Sequence, residues 1–226
     1  MKTRKLGNAQ VSAIGLGTMS FGGIFGPTDQ AESLACLDAM LDAGITFIDT
    51  ANIYGMGVSE DVIGQWLSLR KPQVTIATKA SVVNETPRRI DNSESHLRAE
   101  LEISLRRLNR DHVELFYIHR RDHTRPIEEV VGTLKRFIEE GKIGGYGMSE
   151  VAPDTLRRAH AVHPCAAVQN EYSLWTRQPE LGLIQACAEL GVAFIPFSPL
   201  ARGMLGDSPI APPTDGFRST NPRFTE

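Results

Sequence analysis

Short apolar runs alternate with longer amphipathic segments along the whole chain. Seven of these runs are rich in Val, Ile and Phe, and within them apolar residues follow one another instead of alternating with polar ones. This pattern is typical of parallel strands whose two faces are both covered. The seven runs read VSAIGLGT, ITFIDT, QVTIATK, VELFYIHR, IGGYGMS, AAVQNEY and VAFIPFSP. The chain is therefore predicted to contain seven parallel strands.

The segments between these runs carry the start and stop signals of helices. In the first of them, Thr28 or Asp29 can cap the start and Gly44 can end the helix. Ser59 and Ser93 each begin a further helical segment and have the side chain that suits an N-cap. The last two helical segments run from a proline to a closing glycine, over 126–141 and 179–191.

The predicted strands begin at intervals of roughly thirty residues, which is the size of a βα unit with its crossover. A long succession of such units indicates either a (β/α)₈ TIM barrel or an open doubly wound sheet. An open nucleotide-binding sheet should show G-x-G-x-x-G after its first strand, but here Gly15 and Gly17 are followed by Ser20. We therefore predict an α/β fold, a (β/α)₈ TIM barrel formed by residues 1–226 as a single domain.

A closed barrel needs an eighth strand and typically about 250 residues. Residues 204–226 are rich in Pro, Gly, Ser and Thr and are predicted to form a loop-like tail. Without an eighth strand and the final helices, the sheet would keep two open edges. We expect either that the sequence belongs to a longer chain or that another molecule supplies the missing part.

Composition and charge exclude several classes of function. The chain is 41% hydrophobic and 23% charged, with a net charge of −3, which is typical of a globular protein with a sizeable core. Such a charge argues against nucleic acid as the main partner. No apolar run is long enough to span a membrane, and the first ten residues lack the apolar core of a signal peptide. Together with three scattered cysteines, this indicates a cytoplasmic protein.

Four ionisable residues come from the ends of neighbouring strands. Asp49 follows the second predicted strand, Lys79 the third and His119 the fourth, and Tyr54 lies in the loop after Asp49. Each residue alone has an ordinary structural explanation, such as a turn, packing or a surface charge. In a parallel barrel, however, all four would meet at the carboxyl-end rim, where active sites lie.

These residue types together support proton transfer to an oxygen. A phenol has an ordinary pKa of about 10, and a neighbouring ammonium favours the phenolate. A carboxylate keeps that ammonium charged and oriented, and a histidine can donate a hydrogen bond to a substrate oxygen. A reaction that needs such an acid, without a nucleophile or a metal, is hydride addition to a carbonyl. The hydride must come from a cofactor because no side chain supplies one.

The motif Asp49-x4-Tyr54-Gly55, the run IATK that ends at Lys79 and the run YIHR that contains His119 resemble the catalytic tetrad of the aldo-keto reductases. The similarity extends over essentially the whole chain, and it is closest to the branch that contains perakine reductase and the plant auxin-induced-like proteins. The resemblance implies a (β/α)₈ reductase that prefers NADPH and acts on a small-molecule carbonyl substrate. Tyr54 would be the proton donor, Lys79 would favour its ionisation, Asp49 would hold Lys79, and His119 would position the carbonyl.

The resemblance also implies a binding site for NADP(H). Ser149 and Gln169 would hold the nicotinamide carboxamide, and Phe197 would stack on the nicotinamide ring. Without the resemblance, Phe197 would be interpreted as a core residue. The remaining cofactor contacts would come from Thr18 and Met19 after the first strand, from Ser198, Leu200 and Gly203 after the seventh strand, and from Asp49 of the tetrad. For Met19, a packing function is the preferred interpretation.

Two other functions remain open at this point. The chain could be a cofactor-binding sensor or partner subunit with little catalytic activity. It could also be a barrel lyase in which Lys79 forms a Schiff base, although Asp49 close by would keep that amine protonated. The histidines and cysteines have no recognised ligand spacing, so no metal site is predicted. In this resemblance, the group that would bind the 2′-phosphate lies outside the sequence, so the residues themselves do not predict NADPH preference. The physiological substrate and the oligomeric state are not predicted either.

Overall fold

The strands account for the central part of the fold. The computed structural model describes residues 1–207 and 216–224. Within these residues the strands are β1 (Thr3–Leu6), β2 (Ala9–Ser12), β3 (Leu16–Gly17), β4 (Phe47–Asp49), β5 (Thr75–Ala80), β6 (Val82–Val83), β7 (Arg89–Ile90), β8 (Leu115–Ile118), β9 (Tyr146–Ser149), β10 (Ala167–Glu171) and β11 (Ala193–Phe197).

The helices follow the strands in alternation. They are α1 (Gln30–Asp42), α2 (Val58–Arg70), α3 (Glu94–Leu108), α4 (Ile127–Glu139), α5 (Pro153–Val162), α6 (Leu183–Leu190) and α7 (Gly216–Ser219). Short 3₁₀ turns are formed by Met19–Gly22, Tyr54–Gly57, Gln178–Glu180, Ala201–Gly203 and Pro222–Phe224. None of the described helices combines the length and the apolar character that crossing a bilayer requires.

Seven strands form one sheet in the order β11-β10-β9-β8-β5-β4-β3, and every neighbouring pair is parallel. These are the seven strands that the apolar runs predicted. Strand order follows chain order, with a helix in each major crossover, as a (β/α)₈ barrel requires. The predicted fold class is therefore confirmed. No eighth strand joins this sheet within the described residues, and β3 and β11 are its edges.

The prediction for the first strand was wrong in its extent. Only Leu16 and Gly17 of the first apolar run pair with the sheet. Val11 and Ser12 belong instead to β2, which forms an antiparallel hairpin with β1. A second hairpin, β6–β7, follows β5. The strands of both hairpins have only two to four residues, which is too short to give a strand pattern of their own in the sequence.

Two of the predicted helix caps are confirmed. The side chain of Asp29 accepts a hydrogen bond from the backbone N–H of Glu32 over 2.8 Å, and Ser93 Oγ accepts from the backbone N–H of His96 over 3.3 Å. The third prediction was wrong, since α2 begins at Val58 and Ser59 is not its N-cap. Its hydroxyl is used in a buried tertiary contact instead.

The last predicted helix, over 179–191, is interrupted. A 3₁₀ turn covers Gln178–Glu180, Gly182 has a φ of +121°, and α6 begins only at Leu183. Part of the loop-like tail predicted over 204–226 lies outside the described residues, at 208–215 and 225–226. In its described part the chain forms α7 and one 3₁₀ turn.

The core has two layers, one on each side of the sheet. Along β8, Phe116 and Ile118 belong to the outer layer beneath the helices, whereas Leu115 and Tyr117 belong to the barrel interior. Leu6 of the β1–β2 hairpin packs into the same interior cluster and covers the amino ends of the strands. Apolar side chains therefore fill the amino-terminal end of the barrel, and the ionisable residues collect at the carboxyl end.

Candidate active site

Strand register brings Asp49 and Lys79 to the same end of the barrel. Asp49 is the last residue of β4 and lies opposite Ala77 of β5. Lys79 lies two residues further along β5, on the same face as Ala77 because side chains alternate along a strand. Thr78, between them, therefore points outward to the helices, and Lys79 points into the barrel.

Lys79 is fully buried, and its ammonium has three acceptors. It forms an ion pair with Asp49 Oδ1, donates to the carbonyl oxygen of Thr50 over 2.8 Å and donates to the hydroxyl of Tyr54 over 3.4 Å. Burial by itself disfavours the charge, but the attraction of Asp49 and then of Tyr54 outweighs it, so that the pKa of Lys79 is raised above its ordinary value. The amine therefore stays protonated at neutral pH.

Asp49 is held by contacts with β10 and with the residue that follows β3. Its second carboxylate oxygen accepts a hydrogen bond from Gln169 Nε2 over 2.8 Å. Its backbone carbonyl accepts from Thr18 Oγ1 over 3.0 Å, and Thr18 is bonded in turn by the hydroxyl of Ser59 over 2.8 Å. The buried hydroxyls of Thr18 and Ser59 thus fix the carboxyl end of β4.

Tyr54 begins a 3₁₀ turn, Tyr54–Gly57, here called the Tyr54 turn. Gly55, Met56 and Gly57 all have positive φ values, of +60°, +56° and +103°. A Cβ atom at Gly22 would collide with the backbone of Gly55, so the turn lies directly on the 3₁₀ turn Met19–Gly22. This contact seats the turn and directs the Tyr54 side chain towards Lys79.

His119 follows β8 directly and completes the group. Its backbone N–H donates to the carbonyl of Ala80 over 2.9 Å, and its ring lies edge-on to Tyr54, with 5.9 Å between the ring centroids. Burial, Lys79 and Arg120 all lower the pKa of His119 well below its ordinary value. The imidazole is therefore neutral at neutral pH, and Nδ1 has no hydrogen-bond partner among the described residues.

A cleft of about 430 Å³ runs along the barrel between the edge strands β3 and β11, from the β1–β2 hairpin at the amino end to these residues at the carboxyl end. Four of the residues predicted to contact the cofactor line it, namely Asp49, Gln169, Phe197 and Ser198. Gly17 also lines it, and a Cβ there would meet nothing within 4 Å. An amide, a hydroxyl and an aromatic ring around an open space are suitable partners for a nicotinamide, so the residues present fit NADP(H).

The other predicted cofactor residues lie at the same end of the barrel, in different settings. Ser149 is buried at the end of β9, and its hydroxyl accepts a hydrogen bond from Arg120 over 3.1 Å. Leu200 is exposed, and Gly203 has a φ of +101°. Met19 is the first residue of the 3₁₀ turn Met19–Gly22, which lies against the Tyr54 turn, and Thr18 is the residue before it.

The sequence interpretation missed Arg120. Its guanidinium bonds the carbonyl oxygen of His119 and the hydroxyl of Ser149, so it joins the carboxyl ends of β8 and β9. A signal was available, because a basic residue directly after the histidine of an apolar strand must lie at the same rim. Arg120 also contributes to the low pKa of His119.

The chemistry of this arrangement follows from its charges. A phenol lies beside a buried cation that an anion holds in place, and a neutral imidazole lies next to the phenol ring. Such a group can protonate an oxygen on which negative charge develops, with the imidazole as a second hydrogen-bond donor to that oxygen. No nucleophile is needed for this step.

Comparison with known proteins gives consistent results. Residues 13–224 match the sequence profile of the Aldo/keto reductase family. The chain is 40% identical over 221 residues to the probable aldo-keto reductase 1 of Glycine max, with 95% of this chain and 64% of that protein covered. It is 37% identical over 234 residues to the aldo-keto reductase yakc [NADP(+)] of Schizosaccharomyces pombe, with coverages of 98% and 68%. The chain thus spans about two thirds of the length of these relatives.

Solved structures share the fold. The glycerol dehydrogenase AKR11B4 from Gluconobacter oxydans superposes with a TM-score of 0.87 at 30% identity, covering 99% of this chain and 72% of that one. The holo form of the aldo-keto reductase AKR11C1 from Bacillus halodurans gives a TM-score of 0.84, also at 30% identity, with coverages of 93% and 70%.

Proposed function

Because the chain belongs to the aldo/keto reductase family, we propose that it reduces aldehydes or ketones to alcohols with NADPH, in a reversible reaction. One observation carries the proposal. The ammonium of Lys79 is buried, is paired with Asp49 and donates a hydrogen bond to the hydroxyl of Tyr54. A phenol in this position is suited to donate a proton. The phenolate that remains can take up a proton again and return to the phenol.

Each residue of the group has a distinct task in this reaction. NADPH, when bound, supplies the hydride that adds to the carbonyl carbon. Tyr54 transfers its hydroxyl proton to the carbonyl oxygen, and Lys79 stabilises the phenolate that this transfer leaves. Asp49 compensates the charge of Lys79 in the barrel interior. His119, neutral because its pKa is low, donates a hydrogen bond to the same oxygen and orients it towards Tyr54.

The cofactor would lie at the carboxyl end of the cleft between β3 and β11, where Asp49, Gln169, Phe197 and Ser198 line it. Gln169 and Ser149 would hold the carboxamide, Phe197 would stack on the ring, and the loop with Ser198, Leu200 and Gly203 would bind the pyrophosphate. The name of the fission yeast relative includes NADP(+), which supports NADPH over NADH. Ser149 is engaged by Arg120, so in this proposal the carboxamide exchanges with that guanidinium or shares the hydroxyl with it.

We extend the proposal in two further respects. The segments 125–150, 157–164, 168–177 and 197–203 support membership of the branch that contains perakine reductase and the plant auxin-induced-like proteins. The net charge of −3 and the small cleft suit a small-molecule carbonyl compound as the only partner required for the reaction, in the cytoplasm.

Loss of NADPH absorbance with a panel of aldehydes and ketones tests the proposal. The protein should consume NADPH only when a carbonyl compound is present, and Tyr54→Phe should lower kcat by about 10²–10⁴-fold, which is the usual contribution of general acid catalysis. Unchanged turnover in Tyr54→Phe would contradict the assignment of the proton donor. NADPH binding by fluorescence without turnover on any compound of the panel would instead favour the sensor or partner-subunit function.

A further inference from the structure

A buried carboxylate lies directly behind the catalytic group. Glu60, in the first turn of α2, is completely buried, and one of its oxygens accepts a hydrogen bond from Thr78 Oγ1 over 2.6 Å. Thr78 is the residue before Lys79 on β5, and it faces outward where Lys79 faces inward. Glu60 therefore contacts the strand that carries Lys79 from the side opposite to the barrel interior.

The second oxygen of Glu60 faces Arg107 near the end of α3. The distance from this oxygen to a guanidinium nitrogen of Arg107 is 3.4 Å. Burial raises the pKa of Glu60, and the hydrogen bond from Thr78 and the charge of Arg107 oppose that rise. Arg107 thus provides the positive charge that this buried carboxylate requires.

Arg107 also contacts the Tyr54 turn. Its other terminal nitrogen donates to the backbone carbonyl of Met56 over 3.3 Å. A Cβ atom at Gly57 would collide with the guanidinium, so the guanidinium lies flat against the backbone of that residue. Gly55 and Gly57 adopt positive φ freely, whereas Met56, with a φ of +56°, has a left-handed backbone conformation that surrounding contacts must hold.

We propose that Glu60 and Arg107 are positioning residues that fix the Tyr54 hydroxyl relative to the ammonium of Lys79. We call the side chains of Glu60, Thr78 and Arg107 the clamp. It joins the strand of Lys79 to the turn of Tyr54 through one carboxylate and one guanidinium. This inference rests on the proposed function, because it assigns the clamp to the acid of that reaction.

A merely structural role predicts a different result from a positioning role. Loss of a structural contact lowers stability but leaves the active molecules unchanged. Loss of a positioning contact lowers kcat in folded protein, while the KM for NADPH stays nearly constant because the cofactor cleft is on the other side of β4. A displacement of about 1 Å at a catalytic group can lower the rate by about 10²-fold.

The test uses Arg107→Ala with Arg106→Ala as the matched control, since Arg106 is the neighbouring arginine of the same helix and is exposed. In Arg107→Ala, kcat should fall by about 10–100-fold with less than about a twofold change in the KM for NADPH. Added methylguanidinium should restore a part of kcat, because it can occupy the space that the arginine leaves. Arg106→Ala should behave like the unaltered protein with and without methylguanidinium.

A second readout does not depend on turnover. The chain has four tyrosines, so ¹³Cζ labelling of tyrosine gives a spectrum in which Tyr54→Phe identifies the Tyr54 signal. Arg107→Ala should shift that signal and methylguanidinium should return it, while the other tyrosine signals stay in place. If Arg107→Ala does not fold, Arg107→Gln, which keeps the side-chain stem, is measured in the same two ways.

The outcomes separate the two proposals. An unaltered protein that reduces no carbonyl compound would overturn the proposed function, and the tyrosine spectra would still decide whether the clamp positions Tyr54. An active protein in which the Arg107 variant keeps its kcat and its Tyr54 signal would overturn the clamp alone. A fall in activity that follows only the loss of folded protein, with no rescue by methylguanidinium, would overturn it as well.

Discussion

The ammonium of Lys79 lies 3.4 Å from the hydroxyl oxygen of Tyr54, with no solvent access to the lysine side chain. These residues are 25 positions apart, on a strand and on the turn that follows a neighbouring strand. Asp49 pairs with the lysine and is the last residue of the strand that precedes the turn. The function proposed for Tyr54 as a proton donor depends on its contact with Lys79.

Removing the charge of Asp49 should destabilise the protein. In Asp49→Asn the buried ammonium of Lys79 loses its counter-charge, which costs about 3 kcal/mol for a buried pair. Urea denaturation at neutral pH measures the loss. Glu139→Gln is the control, because Glu139 pairs with Lys135 at 3.7 Å on an exposed face, and it should leave the midpoint unchanged. Equal midpoints for the two variants would contradict the account of Lys79.

His119 should make stability depend on pH below neutrality. Its pKa is lowered in the folded state by burial, Lys79 and Arg120, so the unfolded chain binds a proton that the folded chain does not. As pH falls below about 6.5, the free energy of unfolding should decrease by up to about 1.4 kcal/mol per pH unit from this group. In His119→Gln, the free energy of unfolding measured by urea denaturation should depend less steeply on pH between about pH 7 and pH 5, by the amount that one bound proton contributes. The same slope in both proteins would mean that the imidazole titrates normally.

Two glycines in helix interiors should respond in opposite directions to the same substitution. A Cβ at Gly64 of α2 would collide with the carbonyl of Arg107 on α3, whereas a Cβ at Gly132 of α4 would meet nothing within 4 Å. Gly132→Ala should stabilise the protein by about 0.5–1 kcal/mol, because alanine loses less entropy in a helix. Gly64→Ala should destabilise it by about 1–3 kcal/mol. Thermal denaturation measures both, and a stabilised Gly64→Ala would contradict the contact of α2 with α3.

The cysteines should differ in reactivity. Cys36 is exposed, whereas Cys165 and Cys187 are buried. Burial raises the pKa of Cys165 to about 12 and that of Cys187 to about 11, so neither forms the reactive thiolate at neutral pH. A disulfide reagent should modify one thiol rapidly in the native protein and three after denaturation, and Cys36→Ser should abolish the rapid phase. Rapid modification of two or more thiols in the native protein would contradict the burial.

The elements that were predictable from the sequence depend on local signals. The seven apolar runs gave the strands of the sheet, and Asp29 and Ser93 cap their helices because the residues they bond lie three positions away. Ser59 has the same side chain as Ser93, but its hydroxyl bonds Thr18 and Thr50 instead. Those partners directly follow β3 and β4, and nothing near Ser59 in the sequence indicates them.

The sequence likewise predicted only a part of the candidate site. Asp49, Lys79 and His119 follow from strand ends, because parallel strands bring their carboxyl ends together. Glu60 and Arg107 appear in the sequence as ordinary charges in amphipathic helices, and only the packing of α2 on α3 and β5 brings them together behind the Tyr54 turn. A buried carboxylate of this kind has no sequence pattern of its own.

The single-turnover rate of carbonyl reduction in Tyr54→Phe, Lys79→Met and the double variant, each with NADPH already bound, tests the central claim most directly. If Lys79 acts through Tyr54, the double variant should be no slower than Tyr54→Phe alone, because the lysine has no phenolate left to stabilise. A rate lowered by the product of the two single losses would show that the two residues act independently, and it would contradict the account.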